Sequence, residues 1–115
     1  KEKEFDHAPF GIIGLETAFP VLYKQLVLSG QLSLERLVEA FSSAPAKVLG
    51  LPGGSLDEGK AADLTIIDLN KETLFSPENI LSKSKNTPWL NHSLPGRVMW
   101  TICNGNISYQ DFQNE

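Results

Sequence analysis

A chain of 115 residues is long enough for one domain with a working core, and 41% hydrophobic with 21% charged residues is an ordinary globular composition. The net charge of -4 comes from scattered acids, and no basic cluster is denser than Lys83 with Lys85, which argues against nucleic acid or an anionic membrane as partner. One cysteine, Cys103, excludes an internal disulfide framework, two histidines leave little for a metal centre, and no stretch nears the roughly 20 apolar residues of a membrane span, so a reducing, cytoplasmic setting is expected.

The charged opening Lys1-Glu-Lys-Glu does not read as a signal peptide. Residues 1–16 form a polar lead and then a loop, because Pro9, Gly11 and Gly14 interrupt the apolar run from Phe10 to Leu15. A helix is predicted from Thr17, with Thr17 as cap, Pro20 in the first turn and Phe19, Leu22, Tyr23, Leu26 and Val27 as its apolar stripe; Ser29-Gly30 stops it. A second helix starts after Ser33, with Leu34, Leu37, Val38 and Phe41 at i, i+3, i+4 and i+7. A short third spans 45–49 and ends at Gly50.

Residues 50–54 are a linker and the expected boundary between two units, 1–52 and 53–115. Beyond it the pattern becomes extended. The run Leu64-Thr-Ile-Ile-Asp-Leu predicts a strand with Leu64 and Ile66 on one face and Ile67 and Leu69 on the other, so both faces need cover. Asn70-Lys71 reads as a turn, 73–75 as a short extended return and 77–80 as one helical turn capped by Ser76. Residues 82–95 lack any period, and loops of that length are functional or pinned to another surface. Residues 96–103 alternate Val98, Trp100 and Ile102 with Arg97, Met99 and Thr101; Asn104-Gly105 then turns a hairpin into a strand carrying Ile107 and Tyr109, and 111–115 are expected to fray. Taken alone, helices followed by antiparallel strands read as α+β.

Three stretches resemble the C-terminal part of dihydroorotase of the multifunctional-amidohydrolase type common in bacteria. Ala8-Pro-Phe-Gly-Ile-Ile-Gly-Leu-Glu-Thr-Ala-Phe-Pro is similar to that family's loop over the substrate and the start of the last barrel helix. Gly54-Ser-Leu-Asp-Glu-Gly-Lys-Ala-Ala-Asp-Leu-Thr-Ile-Ile-Asp is similar to the strand returning to the small β domain, a pattern shared across amidohydrolases. Ser82-Lys-Ser-Lys-Asn-Thr-Pro-Trp, Leu94-Pro-Gly-Arg-Val and Thr101-Ile-Cys-Asn-Gly are narrower and favour dihydroorotase over allantoinase or dihydropyrimidinase.

The resemblance implies an α/β fold: the final segment of a metal-dependent (β/α)8 barrel over 1–52, then the C-terminal strands of a composite β domain over 53–115. It implies reversible hydrolysis of dihydroorotate to N-carbamoyl-L-aspartate in pyrimidine synthesis, through a zinc-bound hydroxide and an aspartate proton shuttle. Those ligands and that aspartate belong to upstream sequence, so no catalytic or metal-binding residue is expected here, and this chain alone is expected to be inactive. The implied partners are dihydroorotate or carbamoyl aspartate, the rest of the barrel, and a homodimer mate or aspartate transcarbamoylase. An inactive scaffold of aspartate transcarbamoylase and an independent α+β binding module are the competing functions.

Phe10 and Gly11 match substrate contacts, Gly11 because a residue without Cβ lets the main chain approach a ligand closely. On the residues alone, a turn with Phe10 filling a core gap weighs equally. Asp6-His7-Ala8-Pro9 copies most of the family's catalytic Asp-His-Ala-Pro-His motif, but it runs directly into Phe10-Gly11, so it aligns with the substrate loop and leaves Asp6 and His7 as solvated loop residues. Lys83 and Lys85 read as solvated charges rather than partners of a substrate carboxylate, Trp89 and Trp100 as packing residues, His92 as without a role and Cys103 as a small buried hydrophobe. Exposed apolar surface is expected on the Phe19 to Val27 stripe and on the sheet.

Overall fold

The computed structural model describes residues 11–111. Its α-helices are α1 (Ala18–Leu22), α2 (Leu34–Phe41) and α3 (Ser43–Leu49), and α1 continues directly into a π-helical turn, Tyr23–Val27. One antiparallel sheet follows in the order β1-β2-β3, built from β1 (Leu64–Leu74), β2 (Ser93–Cys103) and β3 (Asn106–Gln110). Helices precede strands, the α+β order read from the sequence.

Local chemistry explains several boundaries. Ser33 caps α2 by accepting from the Arg36 amide at 3.2 Å, and Gly50 closes α3 in the left-handed conformation at φ 65°. Asn104 (φ 48°) and Gly105 (φ 76°) form the two-residue turn between β2 and β3, pinned where the Asn104 amide donates to Asp63 Oδ1 at 2.8 Å and the Gly105 amide to the Ala62 carbonyl at 3.0 Å. Thr17 precedes α1 without capping it through its side chain, which instead donates to the Gly14 carbonyl at 3.4 Å. The predicted single helix also changes hand-hold midway, where the Leu28 amide reaches back five residues to the Tyr23 carbonyl at 3.0 Å.

The sheet corrects the sequence reading most. No turn breaks the chain at Asn70-Lys71. Pairs Asp68 with Arg97 and Glu72 with Pro95 enclose Leu69, Asn70 and Lys71 on β1 against Gly96 alone on β2, so the turn-forming residues make a bulge inside one continuous strand. The Asn70 amide closes this bulge on Asp68 Oδ1 at 2.9 Å. Strand β2 begins at Ser93 rather than Gly96 and contains Pro95. Proline is tolerated because β3 reaches only as far as Trp100, leaving β2 with a single hydrogen-bonding neighbour at Pro95. Further bulges at Met99 and Ser108 interrupt the expected alternation along β2 and β3. Cys103, expected to be buried, is exposed because it ends β2 beside the hairpin turn. Asp111, expected to fray, is fixed by its amide to the Met99 carbonyl at 2.9 Å and by a forked carboxylate pair with Arg97; 112–115 lie outside the described residues.

The Phe19 to Val27 stripe, expected to be exposed, is instead half covered, with Tyr23 buried. Phe19 and Tyr23 stack with ring centroids 5.9 Å apart and planes 7° apart, and this pair rests on β2 at Gly96. Gly96 sits at φ 93°, and a Cβ there would stand 3.0 Å from Phe19 Cε1 and 3.7 Å from Tyr23 Cδ1. Phe41 of α2 also meets Phe19, edge-on, with centroids 5.9 Å apart. A separate small core joins Phe75, Ile80 and Leu94, with Ile13, Val21, Trp89 and Leu90 packed around it. Apolar side chains outside these clusters remain exposed, among them Leu15 (98%), Leu56 (84%), Val48 (83%), Ile66 on β1 and Ile107 on β3. Neither face of the sheet is sealed by the described residues.

Gly96 and Gly105 share a left-handed backbone, but a Cβ at Gly105 would meet nothing within 4 Å. Gly105→Ala is expected to cost about 1 kcal/mol through backbone strain alone, and Gly96→Ala about 2–4 kcal/mol because ring displacement adds to it. Urea unfolding midpoints compare the two; equal shifts would remove the ring pair as a determinant of stability.

Candidate functional site

Two stretches singled out by sequence meet in space: the glycine-punctuated loop after residue 10 and the aperiodic stretch 82–95, in the part of it that precedes β2. Asn86 joins them at two points. Its side-chain Nδ2 donates to the Gly11 carbonyl at 2.8 Å, and its main-chain carbonyl accepts from the Ile13 amide at 3.0 Å. Three residues further on, the Glu16 carboxylate spans the start of the same loop, accepting from the Leu81 amide at 2.8 Å, the Ser82 amide at 2.9 Å and the Ser82 hydroxyl at 2.6 Å. Segment 11–16 therefore lies against 81–86 in a fixed register.

The supporting loop is stiffened from within. Lys85 Nζ donates to the Ser82 carbonyl at 3.0 Å and also to the Ile80 carbonyl, so Lys85 is a loop brace rather than the freely solvated charge expected. Asn86 is held in turn by its amide to Ser84 Oγ at 3.2 Å, and the buried Thr87 hydroxyl accepts from the Trp89 amide at 3.2 Å. Trp89 packs on the core, as read from sequence. His92 is exposed; its Nδ1 lies 3.0 Å from the Leu90 carbonyl and its ring meets Trp89 edge-on. Lys83 is exposed.

The Glu16 carboxylate is pulled two ways. Partial burial pushes its pKa up, but the hydrogen bonds from Ser82 and Leu81, with the Lys85 charge nearby, outweigh it and hold the carboxyl below its ordinary value. Beside it a groove of about 530 Å³ opens over β2, bordered by Glu16, Phe75, Arg97 and Tyr109 among others.

Of the two predicted substrate-contact residues, Phe10 lies outside the described residues, as do Asp6 and His7. Gly11 is exposed at the rim of the joined loops. Among the described residues a Cβ there would meet nothing within 4 Å, so no packing within them requires glycine at this position. Among the described residues no three His, Cys, Asp or Glu side chains converge where they could hold a metal, so these residues do not fit a zinc centre. Glu16 and Asn86 escaped sequence reasoning. Their partners, main-chain groups and the Ser82 hydroxyl, lie about 65 to 75 residues away, and the only signal was that Asn86 sits inside a long loop expected to be pinned.

Comparison with known proteins places this geometry. Residues 4–108 match the amidohydrolase family. The chain is 46% identical over 111 residues to a dihydroorotase of Bacillus subtilis (strain 168), covering 96% of this chain and 26% of that protein. A dihydroorotase of Endomicrobium trichonymphae is 48% identical, with the same coverage. Among solved structures, the L-hydantoinase (dihydropyrimidinase) from Arthrobacter aurescens superposes with a TM-score of 0.79 at 35% identity, over 90% of this chain and 23% of that one. The D-hydantoinase (dihydropyrimidinase) from Thermus sp. does so with a TM-score of 0.83 at 26% identity, over 96% of this chain and 25% of that one. The chain thus spans about a quarter of the length of the curated relatives it matches.

Because the folded Glu16 carboxyl titrates below its unfolded value, the stability it contributes is complete above the ordinary value of 4.5 and is lost as pH falls through the lower, folded value. Hydrogen exchange at the Leu81 and Ser82 amides, corrected for intrinsic rates, should lose protection over that acid range. In Glu16→Gln the step should vanish and protection should already be reduced at pH 7.

Proposed function

The chain belongs to the amidohydrolase family, and from that membership we propose that it forms the C-terminal part of a dihydroorotase, the enzyme that reversibly hydrolyses dihydroorotate to N-carbamoyl-L-aspartate. The observation that carries this reading is 46–48% identity to dihydroorotases over 96% of the chain. In this reading residues 1–52 complete the (β/α)8 barrel and 53–115 complete the small β domain, with the rest of the barrel as the immediate partner. The exposed apolar residues Leu15, Val48 and Leu56 supply surface for that packing, since each side chain removed from water contributes about 1.5–3 kcal/mol.

Gly11, with Phe10, contacts the substrate ring. The support for this is the match of Phe10-Gly11 to the family's substrate loop, together with the open space that a Cβ at Gly11 would meet among the described residues, where a ligand could approach the main chain. The zinc implied by the family resemblance would polarise the amide carbonyl and supply hydroxide in the intact enzyme. The part proposed for this chain is binding and orienting the substrate through Phe10 and Gly11.

The full enzyme carrying this chain is expected to turn over dihydroorotate, to lose that activity on chelation and to regain it with zinc, whereas residues 1–115 alone should show none. Gly11→Val should raise KM for dihydroorotate by about tenfold or more, the loss of one close contact, with a smaller effect on kcat. An unchanged KM would remove Gly11 from the substrate site, and absence of dihydroorotate turnover by the zinc-loaded enzyme would refute the function.

A further inference from the structure

We propose that Asn86 is a positioning residue that sets the height of the Gly11 main chain at the substrate site, an inference that rests on the dihydroorotase reading and extends it to a residue that need not touch substrate. The geometry carries it. The Gly11 carbonyl belongs to the peptide before Ile12 and the Ile13 amide to the peptide after it, and Asn86 engages both, at 2.8 and 3.0 Å. Two successive peptide planes are therefore held by one residue, which fixes the backbone on either side of an otherwise exposed Ile12.

A brace works only if it is anchored, and Asn86 is. Its amide is tied to Ser84 Oγ, the next residue along is buried, and Lys85 ties the loop to the Ser82 carbonyl. Glu16 clamps Leu81 and Ser82 from the opposite strand of the pair, so 11–16 cannot slide along 81–86 without breaking bonds at both ends. The Asn86 side chain is itself exposed and packs into no core, which separates positioning from folding: removing its donor should move the loop without unfolding the protein. Asparagine suits the role because its amide donates to a carbonyl, which an aspartate of the same shape cannot do.

The test uses the full enzyme carrying this chain. Asn86→Asp should raise KM for dihydroorotate about 2- to 10-fold, the span of one neutral hydrogen bond, leaving kcat within about twofold and Tm unchanged. Asn86→Gln, which keeps the donor one methylene further out, should recover part of the loss. Hydrogen exchange at the Ile13 amide should quicken in Asn86→Asp by a similar factor. If KM stays at the wild-type value in Asn86→Asp while Gly11→Val raises it, the positioning role is overturned and the substrate contact stands. If neither variant raises KM, both are overturned. Equal KM losses in the Asp and Gln variants together with a lowered Tm would mark a purely structural residue and also overturn the role. Should the wild-type enzyme not turn over dihydroorotate at all, the function falls, and exchange at Ile13 decides the positioning claim alone: faster exchange in Asn86→Asp supports it and unchanged exchange overturns it.

Discussion

The Phe19 and Tyr23 rings occupy the space that a side chain at Gly96 would fill, and most of the remaining organisation follows from that seat. With no Cβ at position 96, α1 can press its aromatic pair onto the middle of β2. The same residue faces the three-residue bulge of β1, so the sheet bends where the helix lands. The chain just before α1 runs along the loop that follows β1. Glu16 then finds the Leu81 and Ser82 amides, and Asn86 finds Gly11 and Ile13.

The joined loops are polar in their bonding but rest on apolar ground. Ile13 and Val21 from the first half pack on Phe75, Ile80 and Leu94 from the second, so the segments on either side of the linker share one small core. Gly54, in the linker, lies so close to α3 that a Cβ there would stand 2.9 Å from Ser43 Cα, which draws the linker against the helix rather than letting it hang free. Against these contacts stand long apolar side chains left in water on α3, on the linker and on the sheet. A core of this size balanced by that much uncovered surface fits a piece whose packing is shared with more protein, and the chain spans about a quarter of its curated relatives.

What the sequence made legible were features written in adjacent residues. The Ser33 cap, the left-handed Gly50, the Asn104-Gly105 hairpin and the turn after Ser76 each depend on two to four neighbours, and each stands where the pattern put it. The motifs of the loops were legible as well, through their resemblance to dihydroorotase. Features set by partners distant in sequence were hidden. Asn70-Lys71 has turn chemistry, and only pairing with β2 decides that it bulges rather than reverses. Pro95 looked like the end of a loop because nothing local reveals that its strand has one neighbour there. Cys103 looked buried from its place in an apolar alternation, yet the strand ends at that residue. In the candidate site the same division holds: Gly11 was proposed from its motif, whereas Asn86 acts on main-chain groups, and Glu16 on two main-chain amides and the Ser82 hydroxyl, partners that lie far away in sequence.

The central claim is that a main-chain loop at Gly11, held from behind by Asn86, forms part of a dihydroorotate site. A crystal structure of the full enzyme with dihydroorotate bound tests it most directly. The account predicts the ligand in van der Waals or hydrogen-bonding contact with the Gly11 main chain while the Asn86 amide remains on the Gly11 carbonyl. A ligand bound away from Gly11, or a loop that abandons Asn86 to reach it, would contradict the account.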